Sequence, residues 1–525
     1  MGCYIIAVGG TGNKILESVV YAACADAFYT VDGQGQRTPI PKLHLLSVDV
    51  DAACGNTTRA QRAAESYQDV REAFAHSTLQ RRCFHTELAI SRWNMNLSRR
   101  AASVQKMAQN HGCDRLLSRT LFTPTEASLE YSEGFRGHPD LGVLFFAELL
   151  DSLEETRRQG LPDEFNDLMD CIQAELDRGD EVRVMLCGSI FGGTGASGIP
   201  ALSKYLRRRF QPYSRLLMMG SVLMLPYYRV PAADADESQE IVVRSDSFLD
   251  KARTALQYYG MEGMLRSSET DERGVYDAVY LLGLPPESFV TARLYSTGSQ
   301  SQENDAHLME WLAARDIAAF MRTSFRGAGS ANMDCYYTQW HTPYFCWNSF
   351  DEEALRYRDR YGALMKAAAV FFSECCPTLW GCIAGDRHCL RVGYCAPYFH
   401  RRLSLAKRAE AEKQLDSLYR FWAFYVGWMH QLLGQLPPGM AHETDGLFQP
   451  KLLDELQALL QTDCTDPKRS IALQKSLHRL ILGSAPDRRD ISRVICGLGG
   501  GAREDGLAGF LTVLLDTVLE PMGKE

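Results

Sequence analysis

The 525-residue chain has no excess of positive charge and no long apolar run. Its formal net charge is −9, with 56 Lys and Arg residues against 65 Asp and Glu residues. A nucleic-acid-binding protein generally needs a basic surface, so we expect no nucleic-acid partner. The longest apolar run, residues 216–228, is too short to cross a bilayer. The first residues also lack the basic segment of a signal peptide, so the sequence predicts a cytoplasmic protein with no membrane span.

Metal-binding cysteine motifs are missing too, although cysteine itself is not scarce. Sixteen cysteines are scattered along the chain, and Cys382 and Cys389 are too far apart for a CxxC pair. His388 beside Cys389 is the nearest approach to a metal-ligand cluster. We therefore predict no zinc site, no metal ligands among the side chains, and thiols that stay reduced.

The clearest positive pattern is a strand, a glycine-rich turn and a helix within residues 182–210. An apolar strand is followed by Gly192, Gly193, Thr194 and Gly195, and then by apolar residues at helical spacing. Such a turn directs backbone N–H groups and a helix dipole at an anion. No lysine follows the glycines, so this is not the GxxxxGK[ST] phosphate loop. The pattern predicts a phosphate site built from the main chain.

The N-terminus repeats this arrangement. A strand over residues 4–8 leads into a glycine-rich turn and an apolar helix. The residues of the turn that we expect to face phosphate are Gly9, Gly10, Thr11, Gly12 and Asn13. A dinucleotide-binding GxGxxG does not fit, because Ile15 stands at the third glycine position. A tight turn without a ligand is the alternative interpretation.

Two further segments carry polar or glycine-rich residues at the expected positions. The sequence predicts a strand over residues 43–50, and Asp49 and Asp51 lie at its end. Acids there hold a ribose hydroxyl or a metal through water, or simply cap a helix. A third glycine-rich turn precedes an apolar helix and contains Gly134, Phe135, Arg136 and Gly137.

In their order along the chain and in their residues, the four segments resemble the tubulin and FtsZ superfamily of GTPases. AVGGTGNKILES is similar to that family's first phosphate loop, and LLSVDVDAA to its second strand and loop. GFRGHPDLG resembles the third loop, and GSIFGGTGASGIP the signature GGGTGSG, with Phe191 in place of the first glycine. The match spans about residues 1–335 and points to the divergent prokaryotic tubulin-like proteins. It implies GTP or GDP with Mg²⁺ as ligands.

The resemblance also suggests which residues meet the sugar and the base. It implies that Arg229, or Asp234, approaches the ribose. A helix predicted over residues 303–321 resembles the family's central helix, whose start contacts the base, so Asn304 or Asp305 is expected there. The alternative for these two residues is an N-terminal cap. The family's base-reading asparagine after the strand at residues 276–282 is absent from this sequence.

After the central helix the family carries an acidic loop that reaches the nucleotide of the next subunit. Asn332 and Asp334 match its beginning, and Tyr337 stands where the second acid belongs. These two are the candidate catalytic residues. Because the second acid is missing, the resemblance predicts slow or absent GTP hydrolysis.

We therefore predict an α/β protein with a tubulin/FtsZ-like, Rossmann-type parallel sheet. The expected domains are a nucleotide-binding domain (1–302), a central helix (303–322) and a largely helical C-terminal domain (323–525). The predicted C-terminal strands are residues 336–340 and 390–395, and the predicted helices are residues 352–375, 400–435, 450–461, 467–482 and 507–519. Residues 58–120 have a mostly helical pattern. Aromatic residues near the end of the 400–435 helix predict either core packing or a surface for a partner protein.

The function expected from this fold is nucleotide-dependent assembly of the protein with itself, head to tail, with GTP hydrolysis between subunits. The first alternative is a regulatory or scaffold protein that binds nucleotide without polymerising or hydrolysing it. The second is a Rossmann-type oxidoreductase that uses NAD. The missing GxGxxG and the lack of a recognisable catalytic Tyr–Lys or His–Asp pair argue against that alternative.

Overall fold

The computed structural model describes residues 1–51, 54–95, 120, 122–128, 131, 134–135, 137–230, 247–264, 274–291, 304–323, 334–338, 352–393, 395–399, 403–433 and 505–519. The chain divides into two compact units. Unit 1 contains residues 1–19, 28–62 and 88–343, and unit 2 contains residues 20–27, 63–87 and 344–525.

Unit 1 is built on a seven-stranded sheet. Its strands, with two short additional pairs, are β1 (Gly2–Val8), β2 (Tyr29–Val31), β3 (Arg37–Pro39), β4 (Lys42–Val48), β5 (Glu87–Arg92), β6 (Val182–Ser189), β7 (Leu217–Met224), β8 (Tyr228–Arg229), β9 (Ala278–Leu282), β10 (Val290–Thr291) and β11 (Asp334–Thr338). The sheet order is β11-β9-β7-β6-β1-β4-β5, and the six strands from β11 to β4 pair in parallel. The predicted parallel α/β sheet is thus confirmed.

The central strands are mostly apolar because the sheet is covered on both faces. Every residue of β1, β6 and β7 is buried. Such strands have continuous apolar runs instead of alternating ones, which is why the sequence pattern revealed them. Strand β5 was not predicted. It lies within the stretch expected to be mostly helical, and it is defined by its place beside β4 at the edge of the sheet.

The helices described before residue 343 are α1 (Gly9–Cys24), α2 (Gly55–Ala73), α3 (Thr78–Cys83), α4 (Pro124–Ser128), α5 (Pro139–Arg158), α6 (Glu164–Asp177), α7 (Thr194–Arg209), α8 (Phe248–Met261) and α9 (Leu308–Arg322). Helices α5 and α7 pack closely because small residues face each other. A methyl group on Gly142 would lie 2.0 Å from the hydroxyl oxygen of Ser197. Helix α7 also packs against β1 and β6. Because these strands are parallel neighbours, the glycine turns at the start of α7 and at the start of α1 lie at the same end of the sheet.

Unit 2 is helical in the part of it that the structure describes. Its later helices are α10 (Glu352–Val370), α11 (Cys376–Ala384), α12 (Leu405–Leu433) and α13 (Gly506–Leu519). A turn of π-helix, Phe371–Cys375, joins α10 to α11. The strand predicted at residues 390–395 is wrong, because this segment begins in a 3-10 helix, Cys389–Arg391, closed by local backbone hydrogen bonds. The predicted helices at 450–461 and 467–482 lie outside the described residues.

The aromatic residues of α12 form the core of unit 2. Phe421, Trp422, Tyr425 and Trp428 are buried, and the ring of Tyr21 lies within 6.1 Å of three of these rings. The core interpretation of this pattern is therefore confirmed. Phe424, on the same helix, is exposed. None of the helices described is both long and apolar enough to cross a membrane.

Candidate functional site

Two of the predicted glycine turns lie side by side at the centre of the sheet. The chain builds β4 and β5 on one side of β1, and β6, β7, β9 and β11 on the other. The order of the strands therefore reverses between β1 and β6. In open α/β sheets, ligands bind beyond the carboxyl ends of the strands at such a reversal. The turns that begin at Gly9 and at Ile190 follow these two strands directly.

The turn after β1 is the first turn of α1. Gly9 has a φ of +76°, which favours glycine, and a methyl group on Gly12 would lie 2.7 Å from the carbonyl oxygen of Cys187. Asn13 does not face outward. Its amide donates to the carbonyl of Gly9 (3.1 Å), and its carbonyl accepts from the Ser47 hydroxyl (2.6 Å). The buried Asn13 side chain thus holds the turn in shape, and its contact with a ligand stays a prediction.

The turn after β6 leads into α7, which begins at Thr194 with Gly193 as its N-cap. No side chain caps this helix, and the first N–H groups of a helix have no partner within it. The Ser197 hydroxyl donates to the carbonyl of Gly193 (2.9 Å), which fixes the orientation of the turn. A methyl group on Gly195 would lie 2.3 Å from the Ser189 carbonyl oxygen. Free donors and the positive end of the helix dipole therefore meet here.

The third glycine turn comes up against the second. A methyl group on Gly193 would lie 2.7 Å from the Cβ atom of Phe135, 3.3 Å from the amide nitrogen of Gly137 and 3.4 Å from that of His138. Gly134 and Gly137 have φ angles of +74° and +80°. Phe135 is buried against Phe145 and Phe146, so its side chain anchors the turn. Arg136 lies outside the described residues.

The acidic pair that follows β4 lies beside the third glycine turn. Asp49 and Asp51 are buried, and the Cβ atom of Asp51 lies 3.5 Å from the position of a methyl group on Gly134. The Thr57 hydroxyl donates to Asp49 (3.1 Å). Burial, and then the neighbouring Asp51 carboxylate, raises the pKa of Asp49 to about 6. Two carboxylates that are close together and shielded from water destabilise the fold, unless a cation or a hydrogen-bond donor offsets their charge.

The structure corrects the start of the central helix. Helix α9 begins at Leu308, five residues later than predicted, and His307 is its N-cap. The His307 ring accepts from the Met309 amide (3.0 Å), while the Glu310 carboxylate accepts from the His307 amide (2.7 Å). Neither Asn304 nor Asp305 caps the helix. Both precede it in a segment with no regular secondary structure.

Asn304 is nevertheless placed beside the first glycine turn. Its backbone amide donates to the Asn56 side chain (3.0 Å), and its carbonyl accepts from Arg59 (2.9 Å). The side-chain nitrogen of Asn56 in turn lies 3.4 Å from the position of a methyl group on Gly10. Asn304 is 7% exposed, and its side-chain oxygen has no hydrogen-bond partner among the described residues. A buried acceptor without a donor is rare in folded proteins.

Arg229 and Asp334, two other predicted site residues, do not lie beside the glycine turns. Arg229 is the exposed last residue of β8, where its guanidinium donates to the carbonyl of Pro286 (2.6 Å) and lies over the Phe289 ring. Asp334 is the first residue of β11, paired with Ala278 at the start of β9, and does not lie in a loop. Asn332 and Asp234 lie outside the described residues.

Sequence reasoning missed Lys251. Its ammonium donates to the carbonyl of Gly137 (2.9 Å), directly in the third turn, and burial lowers its pKa. No motif marks it, because it sits on α8, far along the chain from the glycines it meets. It brings a positive charge to a set of turns that contain no lysine.

No family model matches this chain, and no curated protein is found to be its relative by sequence.

Proposed function

We propose that the protein binds a guanine nucleotide in the manner of the tubulin and FtsZ superfamily. The observation that carries the proposal is the meeting of Gly9, Gly137 and Gly193, from three separate turns, at the reversal of strand order. Thr194 and Gly195 lie against Gly9, and Gly137 lies against Gly193. Main-chain amides of these turns bind the phosphates, and Lys251 adds charge beside the third turn.

A magnesium ion suits the acidic pair beside the turns. Mg²⁺ prefers oxygen ligands and keeps several waters, so Asp49 and Asp51 would hold it through water, and its charge would offset that of the phosphates. The raised pKa of Asp49 fits this role, since a nearby divalent cation would stabilise the ionised carboxylate. The Thr57 hydroxyl keeps the carboxylate of Asp49 oriented.

The base is assigned to Asn304. Its unpaired side-chain oxygen needs a donor, and guanine offers N–H groups at N1 and N2. The amino group of adenine would also serve, so the preference for guanine comes from the family resemblance. Calorimetry with GTP, GDP, ATP and NAD tests the proposal. We expect GTP and GDP to bind, while binding of NAD without GTP would overturn it.

The position of Asp334 supports assembly head to tail. It begins β11 at the edge of the sheet, whereas the phosphate turns follow the central strands β1 and β6. Four strand spacings separate β11 from β1, or roughly 19 Å, so one chain does not bring both to one nucleotide. Two copies stacked in the same direction would, and such contacts continue into a filament. Electron microscopy with a non-hydrolysable GTP analogue tests this, with filaments as the expected result.

The second candidate is a nucleotide-binding regulator that does not polymerise. The residue that favours it is Tyr337, which occupies the position of the second acid within β11. A turnover rate that is independent of protein concentration, together with particles of one constant size, would favour this candidate. A rate that rises steeply with concentration would favour the shared site.

A further inference from the structure

One imidazole and two carboxylates converge just before α5. The Nδ1 atom of His138 lies 3.3 Å from a carboxylate oxygen of Glu126 and 4.0 Å from one of Asp140. Within the ranges described above, this is the one group of three His, Cys, Asp or Glu side chains whose ligand atoms all lie within 4.8 Å of one another. The cysteines of unit 2, which drew attention in the sequence, form no such group among the residues described.

The side chain of His138 does not play the usual capping role of a residue at a helix N-terminus. His138 is the N-cap of α5, but its ring makes no capping hydrogen bond and points to the carboxylates instead. Pro139 occupies the next position, where its missing N–H leaves no donor unsatisfied. Because the ring nitrogen of His138 does not accept a hydrogen bond from an amide of α5, it is available to a different partner.

Glu126 is held in place by contacts outside the cluster. One of its carboxylate oxygens accepts from the amide of Thr123 (2.8 Å) and from its hydroxyl (2.9 Å). The other oxygen is the one that faces His138. Metal-binding carboxylates are commonly oriented by hydrogen bonds of this kind. The ligand oxygen is therefore positioned before any ion arrives.

The charge balance favours a cation. Glu126 and Asp140 supply two negative charges, which exceed the sum of the Lys251 charge, which interacts with Asp140, and the partial positive charge of about one half at a helix N-terminus. Exposure of the side chains rises from 14% for Glu126 to 31% for His138 and 52% for Asp140. Water can thus reach the open side of the cluster and fill the remaining coordination positions.

We propose that Glu126, His138 and Asp140 bind one divalent first-row transition metal ion. A ligand set of one nitrogen and two carboxylates suits the range from Mn²⁺ to Zn²⁺, whereas Mg²⁺ prefers oxygen alone. The site is distinct from the proposed nucleotide ligands, although the backbone amide of His138 lies beside Gly193. Binding of the metal is expected without any nucleotide.

Electron paramagnetic resonance with Mn²⁺ tests the proposal on the full chain in the absence of nucleotide. Thiols are poor ligands for Mn²⁺, so the many cysteines do not interfere. We expect one bound ion per chain and, in pulsed spectra, coupling to an imidazole nitrogen. His138→Gln should abolish the nitrogen coupling, and Glu126→Gln should weaken binding at least tenfold.

Glu155→Gln is the matched control, because Glu155 is an exposed carboxylate on the same helix. It should bind Mn²⁺ as the wild type does, and circular dichroism should show all variants folded. Absence of bound Mn²⁺, or nitrogen coupling that survives His138→Gln, would overturn the proposal. Either result leaves the nucleotide proposal standing, because no nucleotide is present in the experiment.

Discussion

The ammonium nitrogen of Lys14 lies 2.5 Å from a carboxylate oxygen of Glu310, and both side chains are almost wholly buried. Lys14 directly follows the first glycine turn, and Glu310 lies in the first turn of α9. The Tyr227 hydroxyl donates to the same carboxylate oxygen at 2.5 Å. This buried pair joins the proposed phosphate turn to the central helix, and burial lowers the pKa of Lys14.

Breaking this pair should strongly destabilise the fold. Lys14→Met leaves the Glu310 charge buried without its partner, so we expect the free energy of unfolding to fall by about 3–5 kcal/mol. Lys14→Met combined with Glu310→Gln should be more stable than Lys14→Met alone, because the second change removes the unpaired charge. Urea unfolding measures both. Lys204→Met, which breaks the exposed pair with Glu262, is the control and should have a much smaller effect. Equal losses at the two lysines would contradict the prediction.

A methyl group at Gly193 should disrupt the proposed phosphate site. Because it would lie 2.7 Å from the Cβ atom of Phe135, the second and third turns must move apart. We expect Gly193→Ala to weaken GTP binding at least tenfold in a calorimetric titration. Gly33→Ala is the control, since a methyl group there meets nothing within 4 Å. Unchanged affinity in a folded Gly193→Ala protein would argue against phosphate binding at these turns.

Replacing Asn304 should affect binding and stability in opposite directions. Asn304→Leu removes a buried oxygen that has no hydrogen-bond partner among the described residues. Because an unsatisfied buried group costs about 1–3 kcal/mol, the stability of the nucleotide-free protein should hold or rise. GTP affinity should fall, since the leucine offers the base no acceptor. Thermal unfolding and calorimetry measure the two effects. A variant that loses stability but keeps its affinity would show that Asn304 is structural.

The buried Asp49 should make stability depend on pH. Its pKa is about 6 in the folded protein, against about 3.9 when unfolded, so the folded state binds this proton more tightly. The free energy of unfolding should therefore decrease as the pH rises from about 4 to about 6, by on the order of 2–3 kcal/mol. Asp49→Asn should remove this decrease, and the exposed Asp151→Asn should keep it. Chemical unfolding without Mg²⁺ at a series of pH values measures it, and identical pH profiles for wild type and Asp49→Asn would refute it.

Mixing two inactive variants should restore GTP turnover if the site is shared between copies. Asp334→Asn keeps the phosphate turns, and Gly193→Ala keeps Asp334. In an equal mixture, about a quarter of head-to-tail junctions combine an intact turn with an intact Asp334. We expect turnover near that fraction of the wild-type rate, measured by phosphate release. A mixture no more active than its components would exclude a shared site.

Several local features could be predicted because they depend on neighbours in the chain. The apolar runs of β1, β6 and β7, and the glycines that follow β1 and β6, can be recognised without knowing what they pack against. The start of α9 could not be predicted in this way, because His307 is an unusual cap and its role depends on a hydrogen bond that its amide donates to Glu310. Strand β5 and the turn at residues 389–391 were also misjudged. An edge strand is defined by its partner, and an apolar run forms a strand only where one is available.

Neighbouring residues in the chain specify the strand–turn–helix units, because hydrophobic periodicity and the backbone freedom of glycine act over a few residues. Only packing of the whole sheet brings Gly9 against Thr194, Gly193 against Gly137, and Asn304 beside the first turn. These contacts depend on the order in which parallel strands pair and on which helices cover them. Both are settled by burial of the whole sheet, which no short stretch of sequence encodes.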